Sequence, residues 1–388
     1  MLVVLGAVGL ARFAFGMIIP AMADDLGLDY RQQGFLGASY FVGYLAVVAL
    51  LPWLAPRIGV RRLCVGGLGL VAVSLLAMAL GRDYVLLSLS YLVTGVGSGA
   101  AFIGAMSLPS LWFHPSHRAR AAGVATAGAG IGILVSGLIV PRMPGAFGLL
   151  PWQMIWVAFA VLVLLFALLV VAFLRERPAE LGLAPYGQAG QGNADGGVES
   201  RSQGQNWAMV VRLGVIYFLF AVTALTYTTF IVTTMVDELS VSKHDAGLLW
   251  SVLGALSIFS GTLFGNIADR LGLRAGMAAA MTVQGVAYGL IAFGTGTYGL
   301  YLSVFLFGAS AWSMPSIVAA AAGDYLGAER AAAGFAVLTL MFAVGQALGP
   351  AGAGILAGWT GGFAASYGVA AGLNAMAVVL CCFLRRPQ

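Results

Sequence analysis

Charge is scarce in this sequence: Asp, Glu, Lys and Arg together make up 9% of 388 residues, with only 3 histidines and 3 cysteines. His114, His117 and His244 lie between apolar runs, and Cys64, Cys381 and Cys382 form no CxxC and have no histidine nearby. No disulfide framework, metal site or cofactor motif is expected from such a set. Carboxylate pairs within the apolar runs and a P-loop are both missing, so hydrolysis and ATP-driven work lack their parts. The net charge of +5 comes from arginines scattered singly or in pairs, not gathered on one stripe, which argues against a nucleic-acid partner. What is abundant is apolar: 61% of residues are hydrophobic and the mean hydropathy is +0.96. Soluble domains do not have that composition. A membrane-crossing helix needs about 20 apolar residues, so a chain of this length holds about a dozen and little else.

Apolar runs fall at 2–23, 34–55, 63–81, 84–112, 119–141 and 152–174, then at 209–236, 246–268, 275–294, 298–322, 331–357 and 362–384. Ala21-Met22-Ala23 resembles a signal-peptidase site, but no basic segment precedes it and Arg12 interrupts the apolar stretch, so the run reads as a first span. With a cytoplasmic N-terminus, most arginines, among them Arg57, Arg61, Arg62, Arg118, Arg120, Arg175, Arg177, Arg201, Arg270 and Arg274, fall inside, and Arg31, Arg82, Arg142 and Lys243 fall outside. The positive-inside rule then predicts a multi-pass protein of the bacterial inner membrane with both termini cytoplasmic. Three parts are expected: a six-helix bundle over 1–174, a flexible cytoplasmic linker over 175–208 that is rich in Gly, Ser and Gln, and a second six-helix bundle over 209–388. The bundles repeat. A shift of 213 sets Asp25-Leu26 on Glu238-Leu239, Gly34 on Gly247, and Arg57, Gly59 and Arg61 on Arg270, Gly272 and Arg274.

Between the eighth and ninth runs stands Gly265-Asn266-Ile267-Ala268-Asp269-Arg270-Leu271-Gly272-Leu273-Arg274. It resembles the G-x-x-x-D-R-x-G-x-R loop of the major facilitator superfamily. The first-half copy, Pro52 to Arg61, has Pro56 where the acid would stand. That resemblance implies an all-α membrane protein of twelve transmembrane helices in two pseudo-symmetric six-helix halves, working as a secondary transporter. Asp269, Arg270, Gly272 and Arg274 are then expected to form a conformational latch: Gly272 allows the tight turn, and Asp269 accepts hydrogen bonds from a neighbouring helix N-terminus. In the fifth run, Gly123, Gly128, Gly130 and Gly132 are spaced for close helix packing, as are Gly345 and Gly349 in the eleventh. The run Ala122 to Gly132 is also similar to the fifth helix of monocarboxylate and oxalate/formate-type porters, and lacks the Gly-Pro of the drug/proton antiporter signature. Arg175-Glu176-Arg177-Pro178 through Gly187 resembles the segment after the sixth helix of anion-carrying members. Gly95-Val96-Gly97-Ser98-Gly99 lies inside a span and reads as helix packing.

Arg12 is the one charged residue within a span, and such residues usually mark a pathway. Eleven residues at about 1.5 Å each put it roughly 16 Å deep in a ~30 Å core. Its surroundings resemble the arginine-bearing first helix of a group of uncharacterised bacterial carriers. Polar side chains on helices that line the cavity in the superfamily complete the expected substrate site: Tyr40, Tyr44, Tyr227 and Gln346, with Thr223, Thr226, Thr228, Trp312 and Ser313 behind them. Core packing competes with ligand contact at each. The expected activity is transport of a small, carboxylate-like organic anion by a monomer that alternates its access. Protons are a candidate partner through Asp24, Asp25 or Glu238, and exchange or facilitated diffusion stay open. Polyspecific efflux of drugs or metabolites is the alternative, disfavoured for cationic drugs because no acid lies within a span.

Overall fold

The computed structural model describes residues 1–187, 207–326 and 331–384. With no water in a bilayer core, a spanning backbone must satisfy its own hydrogen bonds, and the apolar runs do so as helices. Among the described residues, twelve helices are long and apolar enough to cross a membrane. In the first half these are α1 (Leu2–Leu26), α2 (Tyr30–Ile58), α3 (Val60–Leu80), α4 (Tyr84–Trp112), α5 (Pro115–Ile139) and α6 (Pro151–Phe173). The second half holds α7 (Met209–Glu238), α8 (Lys243–Leu271), α9 (Leu273–Ala292), α10 (Gly296–Val318), α11 (Ala331–Thr360) and α12 (Ala364–Cys382). The all-α fold expected from the sequence is therefore present, six helices and six more. Its starts follow local chemistry. Asp83 accepts from the amide of Leu86 at 3.0 Å to open α4, and Ser242 accepts from that of Asp245 at 3.1 Å to open α8. α2 begins four residues before its apolar run because Asp29 and Gln32 exchange hydrogen bonds, at 2.7 and 3.0 Å, in a capping box.

Among the described residues, α7 ends in a π-helical turn, Thr234–Glu238, and two other helices depart from regular α geometry. In α1, Leu5–Phe13 is π-helical, ending with Ala14 N donating to Gly9 O, five residues back. In α10, the helix from Gly296 stops at Ser310 and a new one starts at Ser313. The groups freed there are taken by neighbours: Trp312 N donates to Ser260 Oγ on α8 at 3.0 Å, and Gln284 Nε2 on α9 donates to Ser310 O at 3.0 Å. An irregular stretch inside a membrane needs such partners.

The contacts divide the chain into two compact units, one holding Met1–Ile18 with Ser39–Val198, the other Ile19–Ala38 with Glu199–Gln388. Within the first, glycines set the helix spacing. A Cβ on Gly9 would stand 2.8 Å from Gly132 Cα, and one on Gly128 would stand 2.8 Å from Leu5 N, so α1 and α5 meet backbone to backbone. Gly95 and Gly97 do the same for α4, against Tyr40 of α2 and Gly67 of α3, while Gly99 makes room for the Val47 side chain of α2. The second unit repeats the device. Gly345 of α11 would clash with Phe218 O at 2.6 Å and Gly349 with Val222 O, both on α7. Leu5 and Gly9 shifted by 213 are Phe218 and Val222, so the repeat seen in the sequence is kept in three dimensions. Also in the second unit, Gly34 of α2 abuts Pro350 and Gly354 of α11, and Lys243 Nζ pairs with Asp24 at 4.0 Å.

Candidate substrate site

Arg12 stands at the end of the π-helical stretch, half-buried. Its guanidinium carbon lies 4.7 Å from the ring centre of Phe13 and 4.8 Å from that of Phe41 on α2, so two π faces hold the cation. Three tyrosines surround it. Tyr91 of α4 donates to Ala11 O and Arg12 O, both at 3.3 Å, and Tyr40 of α2 donates to Ala7 O at 3.4 Å. Both rings are buried, and their hydroxyls are used on the backbone of the π-helical turn. Tyr44 lies one turn further along α2, half-buried, its ring 6.4 Å from that of Tyr40. Phe15 stacks on Tyr91 at 4.6 Å, and Trp156 of α6 lies 6.5 Å from Tyr91. The result is one positive charge set in a wall of aromatic rings.

In the second unit Tyr227 is fully buried. Its hydroxyl shares a 2.9 Å hydrogen bond with Ser303 Oγ, which itself donates to Ala287 O, and its ring packs on Phe307 at 4.1 Å. Thr223 bonds Asn374, Thr226 donates to Gly349 O, and Thr228 donates to Ala224 O. Gln346 of α11 is also buried, and its Oε1 has no hydrogen-bond partner among the described residues. Ser313 is buried and donates to Ser310 O beside the α10 break.

The two short loops at α2–α3 and α8–α9 share one geometry. Gly59 has φ +85° and Gly272 has φ +91°, values that a residue with a Cβ rarely adopts. Two residues on, Arg61 Nη2 donates to Val171 O and Arg274 Nη2 to Cys382 O. Asp269 and Arg270 are exposed, and no hydrogen bond from a described residue reaches Asp269. In the first loop an acid arrives from elsewhere. Glu176 Oε1 accepts from the amide of Arg61 at 3.3 Å, at the start of α3, whereas Pro56 holds the place of Asp269. Glu176 is positioned because the segment after α6 folds back: Trp112 Nε1 donates to Arg175 O, Tyr186 N to Trp112 O and His114 N to Tyr186 O. The rest of the Gly- and Gln-rich stretch read as a linker, 188–206, lies outside the described residues.

Comparison with known proteins decides the family. Residues 4–382 match the family described as "Uncharacterised MFS-type transporter YbfB". This chain belongs to that transporter family. The family carries solutes and is not an enzyme family, as the sequence implied. Among curated relatives, a putative tartrate transporter of Agrobacterium vitis is 26% identical over 98% of this chain and 87% of its own. The 3-(3-hydroxy-phenyl)propionate transporter of Escherichia coli (strain K12) is 25% identical over 88% and 82%. A hexuronate transporter of Bacillus subtilis (strain 168) is 28% identical over 44% of this chain and 40% of its own. A point mutant of the nucleoside transporter NupG superposes with a TM-score of 0.74 at 15% identity, covering 99% of each chain. A bacterial homologue of the human lysosomal transporter Spinster gives 0.72 at 15% identity, over 99% of this chain and 94% of its own. These likenesses establish the fold.

Of the site residues expected from the sequence, the transporter brings Arg12, Tyr40 and Tyr44 together in one unit, while Tyr227 and Gln346 belong to the other. Sequence reasoning missed Tyr91, Phe13 and Phe41 around Arg12. The signal was available for one: Gly95 lies a turn after Tyr91, and a glycine that admits the backbone of Tyr40 brings Tyr91 to the same neighbourhood. It also missed the role of Glu176 and the π-helical turn.

Proposed function

We propose that this transporter moves a small organic anion, with Arg12 binding its negative end. The observation that carries the reading is a half-buried guanidinium on the first helix, held between Phe13 and Phe41, in a run whose nearest acid along the chain is Asp24. A cation kept at such a place costs several kcal/mol unless it has a task. The relatives' names point the same way, toward tartrate, hexuronate and hydroxyphenylpropionate, all carboxylates at neutral pH. Tyr44 is the accompanying contact and Tyr40 steadies the π-helical turn; within the second unit, Tyr227 is assigned to packing and Gln346 keeps an acceptor open among the described residues.

Movement follows the alternating-access scheme expected for two repeated bundles, 1–174 and 209–388, joined through 175–208. The protein sits in the inner membrane as a monomer with both termini cytoplasmic, and the loop Asp269-Arg270-Leu271-Gly272-Leu273-Arg274 biases which state is occupied. The test is equilibrium binding of simple carboxylates to purified protein, read by thermal shift, since a ligand that binds the native state raises its apparent stability. Arg12→Lys keeps the charge but loses the planar fork and retains part of the binding, while Arg12→Gln loses nearly all. A folded Arg12→Gln protein that still binds the same carboxylates with unchanged affinity overturns the anion reading.

A further inference from the structure

The carboxylate accounts for one end of the solute, and the first unit also constrains the other end. A polyhydroxylated acid loses water from every hydroxyl when it is bound, and each needs a replacement partner or costs free energy. The wall around Arg12 offers few. Tyr40 and Tyr91 donate their hydroxyl protons to Ala7 O, Ala11 O and Arg12 O, so neither has a proton left to donate to a sugar-like chain. Phe13, Phe15, Phe41 and Trp156 are all buried and contribute rings, of which only the indole N–H is polar, and that N–H has no hydrogen-bond partner among the described residues. Tyr44 remains, half-buried, its hydroxyl bonded to no described residue. In the second unit the hydroxyls of Thr223, Thr226, Thr228 and Tyr227 are bonded within the bundle, and Gln346 Oε1 is an acceptor left open among the described residues.

Resting on Arg12 as the carboxylate anchor, we infer that the body of the solute is aromatic or otherwise apolar with at most one or two hydrogen-bonding groups: an aryl-type monocarboxylate, not a polyhydroxy acid. Phe13 and Phe41 take up the π-facing sides of the guanidinium, which directs a carboxylate to its edge, where bidentate pairing is made. The adjoining surface that can receive the rest is the ring of Tyr44, one turn along α2, continuous with Tyr40. Offset stacking on that ring rewards an aryl group more than a hydroxylated carbon chain, which offers only its C–H faces. A single phenol on the solute has Tyr44 Oη as its counterpart.

Four probes test this on the purified full-length protein: 3-phenylpropionate, its neutral amide, L-tartrate and D-galacturonate. The expected result is 3-phenylpropionate binding at least about 10-fold tighter than tartrate, galacturonate and the amide. Tyr44→Leu, which keeps an apolar side chain but removes the ring, is expected to weaken 3-phenylpropionate at least about 5-fold while leaving acetate within about 2-fold. Should that variant fail to fold, the ligand series on the unmodified protein decides alone. Tartrate or galacturonate binding tighter than 3-phenylpropionate, with that binding lost in Arg12→Gln, overturns the aryl inference and leaves the anion reading standing. An amide that binds as tightly as its acid removes the carboxylate anchor itself, and both readings go.

Discussion

Tyr44 and Tyr227 carry the same hydroxyl and differ in what already holds it. Tyr227 is enclosed and bonded to Ser303, so Tyr227→Phe is expected to lower stability by about 0.5–1.5 kcal/mol and to leave solute affinity unchanged, measured as melting temperature against dissociation constant. Tyr44 is half-buried with its hydroxyl unused by described residues, so Tyr44→Phe is expected to do the reverse. Its melting temperature stays put, and affinity for a solute that bears a phenol falls roughly 2- to 10-fold, the equivalent of one hydrogen bond. The sequence marked both residues as candidates because both lie on helices that line the cavity in the superfamily. It could not separate them, since the group that occupies Tyr227 is 76 residues away. Arg12 was legible for the opposite reason: a charge within an apolar run needs no tertiary information to stand out.

At the scale of helices, the spacing of glycines was readable and their partners were not. Gly128 and Gly132 could have faced any neighbour; the fold sets them on Leu5 and Gly9. Gly132→Ala therefore forces one backbone off another, at about 1–3 kcal/mol for overpacking. Gly69→Ala, where an added Cβ meets nothing within 4 Å, is expected to be neutral or stabilising by up to about 1 kcal/mol through helix propensity. Comparing the two by thermal unfolding in the same detergent separates packing from propensity, and equal losses would contradict the α1–α5 contact. Glu176 belongs here too. As a charged acceptor at the first amides of α3, its replacement by Gln is expected to cost about 0.3–1 kcal/mol, screened by salt. A salt-independent loss would mean that the carboxylate acts by another route. The acid was hard to find because the fold supplies it from beyond the end of α6, where the repeat in the other half has it within the loop. The π-helical turn left no mark in the sequence: apart from Arg12, Leu5–Phe13 is apolar and without proline, and a run of that kind reads as ordinary α-helix.

For the molecule as a whole, the 213-residue repeat was the most informative single pattern. It announced two halves, and the same offset links Leu5 and Gly9 to Phe218 and Val222, Gly59 to Gly272, and Arg61 to Arg274. Orientation rests on the arginine bias. Single cysteines at positions 82 and 243, placed in a background without Cys64, Cys381 and Cys382, should react with an impermeant thiol reagent from outside intact cells, and one at 201 should not. Reaction at 201 would invert the arrangement. The α8–α9 loop gives the last prediction at this scale. Asp269 is exposed and far in sequence from Arg12, so Asp269→Asn is expected to keep equilibrium binding within a few-fold and to slow transport in proteoliposomes. Lost binding with a normal exchange rate would place Asp269 in the wrong role.

The break in α10 has a mechanical meaning. An unbroken helix behaves as a rod, because its ladder of backbone hydrogen bonds carries torque from end to end. At Ala311 and Trp312 that ladder stops, and the freed amide and carbonyl are tied sideways to Ser260 and Gln284. The two segments of α10 thus meet at a joint fastened to α8 and α9, and Ser260→Ala or Gln284→Leu, each of which removes one fastening, is expected to loosen it.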